Sequence, residues 1–239
     1  EKAGLPGEGR VFKNDNEALM AYERREISLQ TRIAIPVSSF KHKVFPDTYK
    51  GKYLVTTPGK LIFNEIFPDT FQYINDGSEE NIEKITPKKY FVNQGANIPE
   101  EIAKMELVKP FAKKVLTKLV AQIYKRYQTT ETSVMLDKMK DLGFKYSTLS
   151  GISIGIGDII ESKTKEQVLE EAGNMVNQIN KQFKRGLITD RERYEKVVAT
   201  WNEAKNKIAD ELSQSIKNDK ENPISIMIDS GARGNLSNL

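Results

Sequence analysis

Cysteine is absent from the 239 residues. That excludes disulfides, thiolate nucleophiles and Cys-rich zinc sites, and it fits a reducing cytosol. A single histidine, His42, stands in the polar run "FKHKVF". No partner motif surrounds it, so a solvated histidine is expected there, not a triad member or a metal ligand. No run approaches the roughly 18 apolar residues a membrane span needs. The opening "EKAGLPGEGR" has no apolar core of a secretory signal, and the missing initial Met is what a piece of a longer chain would show. Charge of one sign is also scarce. There are 37 basic and 33 acidic residues, a net +4, too little by itself to argue for nucleic-acid binding. Multi-Asp magnesium clusters are missing. "PGK" at Pro58 to Lys60 lacks the P-loop spacing, and Gly151, Gly155 and Gly157 do not match G-x-G-x-x-G.

What is present is a folded chain with much polar surface: 38% hydrophobic and 29% charged residues. After a Gly/Pro loop, "DNEALMAYERRE" reads as a short amphipathic helix with N-cap candidates at Asn14 to Asn16. "SLQTRIAIPVSSF" alternates Leu29, Thr31, Ile33 and Ile35, a half-buried strand. "KYLVTTPGKLIFNEIFP" reads as a strand to about Thr56, a Pro58-Gly59 turn and a short helix stopped by Pro68. Residues 69–99 are expected to be loop-rich. Helical spacing returns from Met105 to about Tyr127. A further helix follows, capped by Thr130 or Thr132 and ended by Gly143. In "SGISIGIGDII", alternating Ile152, Ile154 and Ile156 predict a short strand.

The strongest pattern runs from Lys163 to about Ile216. Val168, Ala172, Met175, Ile179 and Phe183 repeat at helical spacing. Gly186 suits a left-handed C′ position, with Leu187 making the apolar contact beyond it. Thr189 and Glu192 form a T-x-x-E capping box. Tyr194, Val197 or Val198, Trp201, Ala204 or Lys205, Ile208 and Leu212 continue the second stripe. Two matched stripes and a short loop predict an antiparallel, coiled-coil-like hairpin over about 163–216. Its tip carries Lys181, Lys184, Arg185, Arg191 and Arg193. That favours an arm offered to partners, although a solvated face on a packing element would carry the same charges. The chain then nears its end on "DSGARGN". Backbone N–H groups around Gly231 and Gly234 could form an anion nest, with Arg233 supplying a fork for phosphate oxygens and Asp229 and Ser230 bracing the turn. A tight turn with a solvated arginine explains the same residues.

These stretches together resemble one family. "DSGARGN" looks like the DSGARG(S/N) motif of the bacterial RNA polymerase β′ family. "GEGRVFKNDNEALMAY" with "SLQTRIAI" is similar to the stretch after that family's magnesium loop. "TTPGKLIFNEIFP", "LGFKYSTLSGISIGIGDI" and "KQFKRGLITDRERYEKVVATW" resemble three further motifs, in the family's order. Pro58 and Lys60 stand where the family usually has Val and Arg, Gln30 where it often has His, and Tyr194-Glu195-Lys196 where some relatives have Tyr-Asn-Lys.

The resemblance implies an α+β fold, predominantly α. A mixed pore region (1–128) would precede a helical funnel domain (129–239) with the hairpin and the terminal loop. The boundary is expected between Lys125 and Thr132. It implies a part of a DNA-directed RNA polymerase, a nucleotidyltransferase, that is not catalytic alone and lines the secondary channel admitting NTPs. Arg233 would contact the nucleotide triphosphate, with Asp229, Ser230, Gly231, Gly234 and Asn235 supporting the loop. Lys184, Arg185, Arg191, Tyr194 and Lys196 would dock Gre-type secondary-channel factors. Mg2+ would be ligated outside this stretch. Partners would be the β, α, ω and σ subunits, with DNA and RNA, in the cytoplasm and with no membrane. The rival expectation is a stand-alone helical-hairpin interaction module.

Overall fold

The computed structural model describes residues 1–41, 43–159, 161–162, 164–219, 222–231 and 233–234. The histidine expectation at His42 therefore lies outside the described residues, as does the Asn235 end of the terminal loop. The fold is α+β and predominantly helical, and it divides into two compact units, residues 1–150 and 151–239.

The first unit is organised by three antiparallel strands in the order β1-β2-β3: β1 (Ile33–Pro36), β2 (Lys52–Thr56) and β3 (Phe91–Asn93). Ile35 pairs with Leu54, and Leu54 with Phe91. One face sets Ile33, Ile35, Leu54 and Phe91 against Ala18 and Ala21 of α1 (Asp15–Glu23) and against Tyr73. The other packs Ala34, Val55 and Val92 on Ile98 and Ile102 of α4 (Ile98–Lys104). Ala34 is fully buried, so β1 is covered on both faces and not half-exposed as its alternation predicts. A small apolar residue on the supposed outer face was the available sign, because a solvated face would carry polar side chains.

Asn14 starts α1, its Oδ1 accepting from the Glu17 N–H at 2.8 Å. Pro58 and Gly59 do not form a free turn. They open α2 (Pro58–Asn64), with Thr57 as N-cap and Pro58 in the first turn, where its missing N–H costs nothing. Gly59 has a packing reason: a Cβ there would stand 2.9 Å from the Leu29 carbonyl oxygen, which its own N–H reaches at 3.0 Å.

Residues 69–99 hold more than loop. They include the short helix α3 (Glu79–Glu83) and β3, and the run from Phe71 to Asp76 is buried. An irregular buried segment must satisfy its backbone with side chains. Two side-chain amides do so here, and a third ties the segment to α3. Asn64 Oδ1 accepts from the Ile74 N–H at 2.7 Å, and its Nδ2 donates to the Ile74 carbonyl at 2.8 Å. Asn81 Oδ1 accepts from the N–H groups of Asn75 (2.7 Å) and Asp76 (3.0 Å), while its Nδ2 donates to the Tyr73 carbonyl (2.8 Å). Gln72 Nε2 donates to the carbonyls of Asn81 and Ile82.

The two helices expected over 105–127 and 130–143 are both present, running on from one another across a kink as α5 (Lys113–Ser150). It begins later than its apolar spacing predicts, because Pro110 precedes it and 106–112 is irregular. The chain breaks at Gln128 (φ 62°, ψ −163°), a region that disfavours every residue but glycine. The sequence boundary expected between 125 and 132 coincides with this kink, whereas the compact units meet at Ser150. Thr132 does not cap the second half; its Oγ1 donates back to the Gln128 carbonyl at 2.6 Å. Gly143 stays inside the helix and does not end it. Both halves serve one core: Leu119 and Ile123 before the kink and Met135 after it pack on Phe67, Phe71 and Ile82.

No strand forms over 152–156. Ile152 and Ile154 lie in irregular chain, Ile156–Asp158 is a single 3-10 turn, and Ile156 is 90% exposed. The Asp158 carboxylate accepts from the Gly155 N–H at 2.7 Å, a local bond that turns the chain. Beyond it come α6 (Lys165–Lys184), α7 (Asp190–Asn218) and α8 (Pro223–Ser230).

Candidate functional site

Helices α6 and α7 form the expected antiparallel hairpin, about 30 and 45 Å long at ~1.5 Å per residue. Arg185 ends α6 and Gly186 takes φ 72°. The Gly186 N–H donates to the Phe183 carbonyl at 2.9 Å and the Leu187 N–H to the Gln182 carbonyl at 3.1 Å, the paired bonds of a Schellman turn. The apolar contact expected of Leu187 does not form. The residue facing it one turn back is Gln182, and Leu187 is 68% exposed. Thr189 and Glu192 make the reciprocal capping box. The Thr189 N–H donates to the Glu192 carboxylate at 2.8 Å, and the Glu192 N–H to Thr189 Oγ1 at 3.3 Å. The backbone and hydroxyl bonds from Thr189 hold the Glu192 carboxyl below its ordinary range. Thr189→Ala is expected to cost about 1 kcal/mol. Faster hydrogen exchange in the first turn of α7 would report it, and unchanged exchange would show that the cap is redundant.

The seam is narrow. Val168, Ala172 and Ala204 are buried, with Ile208 packed against them. Val197 turns inward and Val198 outward, and Ala204, not Lys205, is the inward residue. Met175 (53% exposed), Trp201 (42%) and Tyr194 (65%) lie mostly outside it. Two helices alone cannot enclose large side chains along their whole length, so the wide ones remain an apolar edge.

At the tip, residues 180–196 carry six basic and three acidic side chains. Arg191 pairs with Glu195 at 2.9 Å and Arg193 with Asp190 at 2.8 Å. Among the described residues, no ion pair is formed by Lys184, Arg185 or Lys196. Lys184 is brought together with Lys181 and Arg193 around an open groove of about 560 Å3, also lined by Asn177, Asn180 and Phe183. The Arg193 guanidinium lies 5.2 Å from the Phe183 ring centroid. Arg191, Tyr194 and Lys196 are exposed on α7 and do not line that groove. Asn177 and Asn180 escaped sequence reasoning because amides on a polar face carry no periodic signal.

The terminal motif is half helix. Asp229 and Ser230 form the last turn of α8, with Ser230 Oγ donating to the Met227 carbonyl at 3.0 Å. Asn222 caps the start of this helix, its Oδ1 accepting from the Ile224 N–H at 2.9 Å. Gly231 adopts φ 72° as the left-handed cap, and its N–H donates to the Ile228 carbonyl. One donor of the expected nest is therefore occupied. A helix C-terminus also repels anions; Arg233 is exposed at this loop, with Gly234 (φ 75°) beside it.

In the first unit, the TTPGK segment buries Lys60. Its ammonium pairs with the Glu1 carboxylate, which also accepts from the Val108 N–H at 3.0 Å. Burial pulls the Lys60 pKa down and Glu1 partly restores it. Asp76 is pushed up by burial, but hydrogen bonds from Ser78 and from Tyr90 Oη (2.7 Å) bring it below its usual value. Among the described residues, no three His, Cys, Asp or Glu side chains converge to hold a metal ion, and no helix is long and apolar enough to cross a membrane.

Comparison with known proteins gives a consistent result. The family model for RNA polymerase Rpb1, domain 3, matches residues 5–159, and that for Rpb1, domain 4, matches residues 188–239. The DNA-directed RNA polymerase subunit beta' of Geobacillus kaustophilus is 54% identical over 239 residues. Those of Bacillus cytotoxicus and Oceanobacillus iheyensis are 54% and 52% identical over 240 and 239 residues. Each comparison covers 100% of this chain and 20% of the relative, so the chain spans about a fifth of the length of these proteins.

Proposed function

The chain belongs to the RNA polymerase Rpb1 family, and we propose that it forms the pore and secondary channel of a β′ subunit, the route by which NTPs reach the active site in DNA-templated RNA synthesis. In this reading it acts with β, α, ω and σ subunits, DNA and RNA in the cytoplasm, and it is not catalytic alone. The hairpin is the docking arm for Gre-type factors. Arg233 offsets triphosphate charge through its guanidinium, a positioning and electrostatic role. Magnesium, which supplies charge neutralisation in nucleotidyl transfer, would be held by other parts of the polymerase.

The observation that carries this reading is the hairpin. Its exposed Tyr194, Trp201 and Leu187 lie beside a tip rich in unpaired cations. Aromatic anchors beside basic residues are the composition of a protein-docking surface and fit a partner with acidic side chains. The test is Lys184→Glu with Arg185→Glu in the assembled polymerase. The association rate of a cleavage factor is expected to fall about tenfold at low salt and to lose most of its salt dependence. An unchanged rate and salt slope would remove the hairpin tip from the docking surface.

A further inference from the structure

Between Leu107 and Thr130 the chain carries Lys109, Lys113, Lys114, Lys118, Lys125 and Arg126 and no Asp or Glu, in a protein whose net charge is only +4. Most of this stretch folds as the first half of α5. Its apolar residues share one side: Leu119 and Ile123 are fully buried, with Val115, Leu116 and Val120 packed against the same core. At 3.6 residues per turn the opposite side carries Lys113, Lys114, Thr117, Ala121, Tyr124 and Lys125, and all six are exposed. Lys114 and Lys125 stand about 16 Å apart along the helix axis, with the small Thr117 and Ala121 between them.

Among the described residues, Lys113, Lys114 and Lys125 form no ion pair. Lys118 lies at the edge of the face and turns to α3, where it meets Glu79 at 2.5 Å. Both partners are exposed, so that pair holds Lys118 weakly. Glu83 of α3 borders the same edge, beside Gln122 and Arg126. The Arg126 guanidinium is engaged elsewhere: it donates to Gln72 Oε1 at 2.9 Å and lies 6.0 Å from the Phe71 ring centroid. The acidic residues therefore stand along one side of the face, and its floor is left to three uncommitted lysines.

The chemistry of the face selects a phosphate backbone over an acidic protein. Protein-docking surfaces are depleted in lysine, whereas lysine ammonium groups are what neutralises the phosphates of nucleic acid. The small residues between the cations let a strand lie close to the helix. Tyr124, 53% exposed, adds a ring on which one base can stack whatever its sequence. We propose that this face of α5 is a sequence-independent site for single-stranded nucleic acid, with phosphates on Lys113, Lys114 and Lys125 and a base on Tyr124. The proposal takes from the polymerase reading only the enzyme in which such strands occur, and it depends on neither the hairpin nor Arg233.

The test places a photo-crosslinking amino acid at Ala121 in the assembled polymerase and offers end-labelled oligouridylate and oligothymidylate separately. Labelling by either strand is the expected result, and the ratio of the two tells whether a 2′-hydroxyl is read. Three phosphate contacts to a single strand give a salt slope of about 2, so tripling the salt should lower the yield about tenfold. Lys114→Glu combined with Lys125→Glu should lower it at least about tenfold, while Lys114→Arg with Lys125→Arg should keep it. Tyr124→Ala should lower it about fivefold or more. No crosslink to either strand, a crosslink confined to protein, or a yield indifferent to the two Lys→Glu changes overturns the proposal. Failure of the nucleotide-route reading would appear instead in the kinetics of Arg233→Ala and would leave this crosslink in place.

Discussion

Arg233→Ala in the assembled polymerase is expected to lower kcat/KM for nucleotide by about 5- to 150-fold, the equivalent of roughly 1–3 kcal/mol for a charge-assisted hydrogen bond to phosphate. The local structure makes this arginine the carrier of the effect. Gly231 has spent its N–H on the Ile228 carbonyl, and the C-terminal end of α8 offers an anion no favourable dipole. Arg233→Lys is expected to recover only part of the loss, because a point charge replaces a planar fork. Steady-state kinetics with varied nucleotide would measure both variants. Unchanged kcat and KM in Arg233→Ala would end the phosphate-contact reading.

Asn81→Ala should cost about 3 kcal/mol in chemical denaturation of the chain. Asn81 is fully buried, and its Oδ1 is the acceptor for two backbone N–H groups, those of Asn75 and Asp76. Removing it leaves both donors buried and unpaired. The Tyr73 carbonyl suffers less, since Thr86 Oγ1 also donates to it at 2.7 Å. The loss should be local as well as global, with the Asn75 and Asp76 amides losing hydrogen-exchange protection first. Asn81→Asp tests the assignment from the other side. It keeps the acceptor, and as the neutral acid its O–H can replace the bond to the Tyr73 carbonyl, so it should do less damage than alanine at low pH. A cost under about 1 kcal/mol for Asn81→Ala would show that the 71–76 segment is braced by something else.

The hairpin and its ends were legible in the residues themselves. A T-x-x-E box, a glycine after the last helical residue and two apolar stripes act through bonds within a few positions of one another. The cap at Asn14 is local in the same way. The family, too, was readable from ordered short motifs, since such a resemblance depends on sequence alone.

What escaped reading depends on contacts made far along the chain. The alternation in β1 looked half-buried because the helix covering its second face begins more than sixty residues later, at Ile98. The 71–76 segment looked like surface loop because its bracing amides come from α2 and α3. Alternating isoleucines at 152–156 had strand spacing but no partner strand among the described residues, and without inter-strand hydrogen bonds that spacing has no force. At the candidate site, sequence supplied the basic tip and the arginine of the terminal loop. Only the folded chain decided that Lys184 shares a groove with Arg193 and Phe183, and that Gly231 serves as a helix cap. The local determinants are short-range hydrogen bonds and helical spacing, which a sequence carries directly. Burial, and with it the pairing of every buried polar group, depends on which distant segments arrive to exclude water, and that is a property of the tertiary structure.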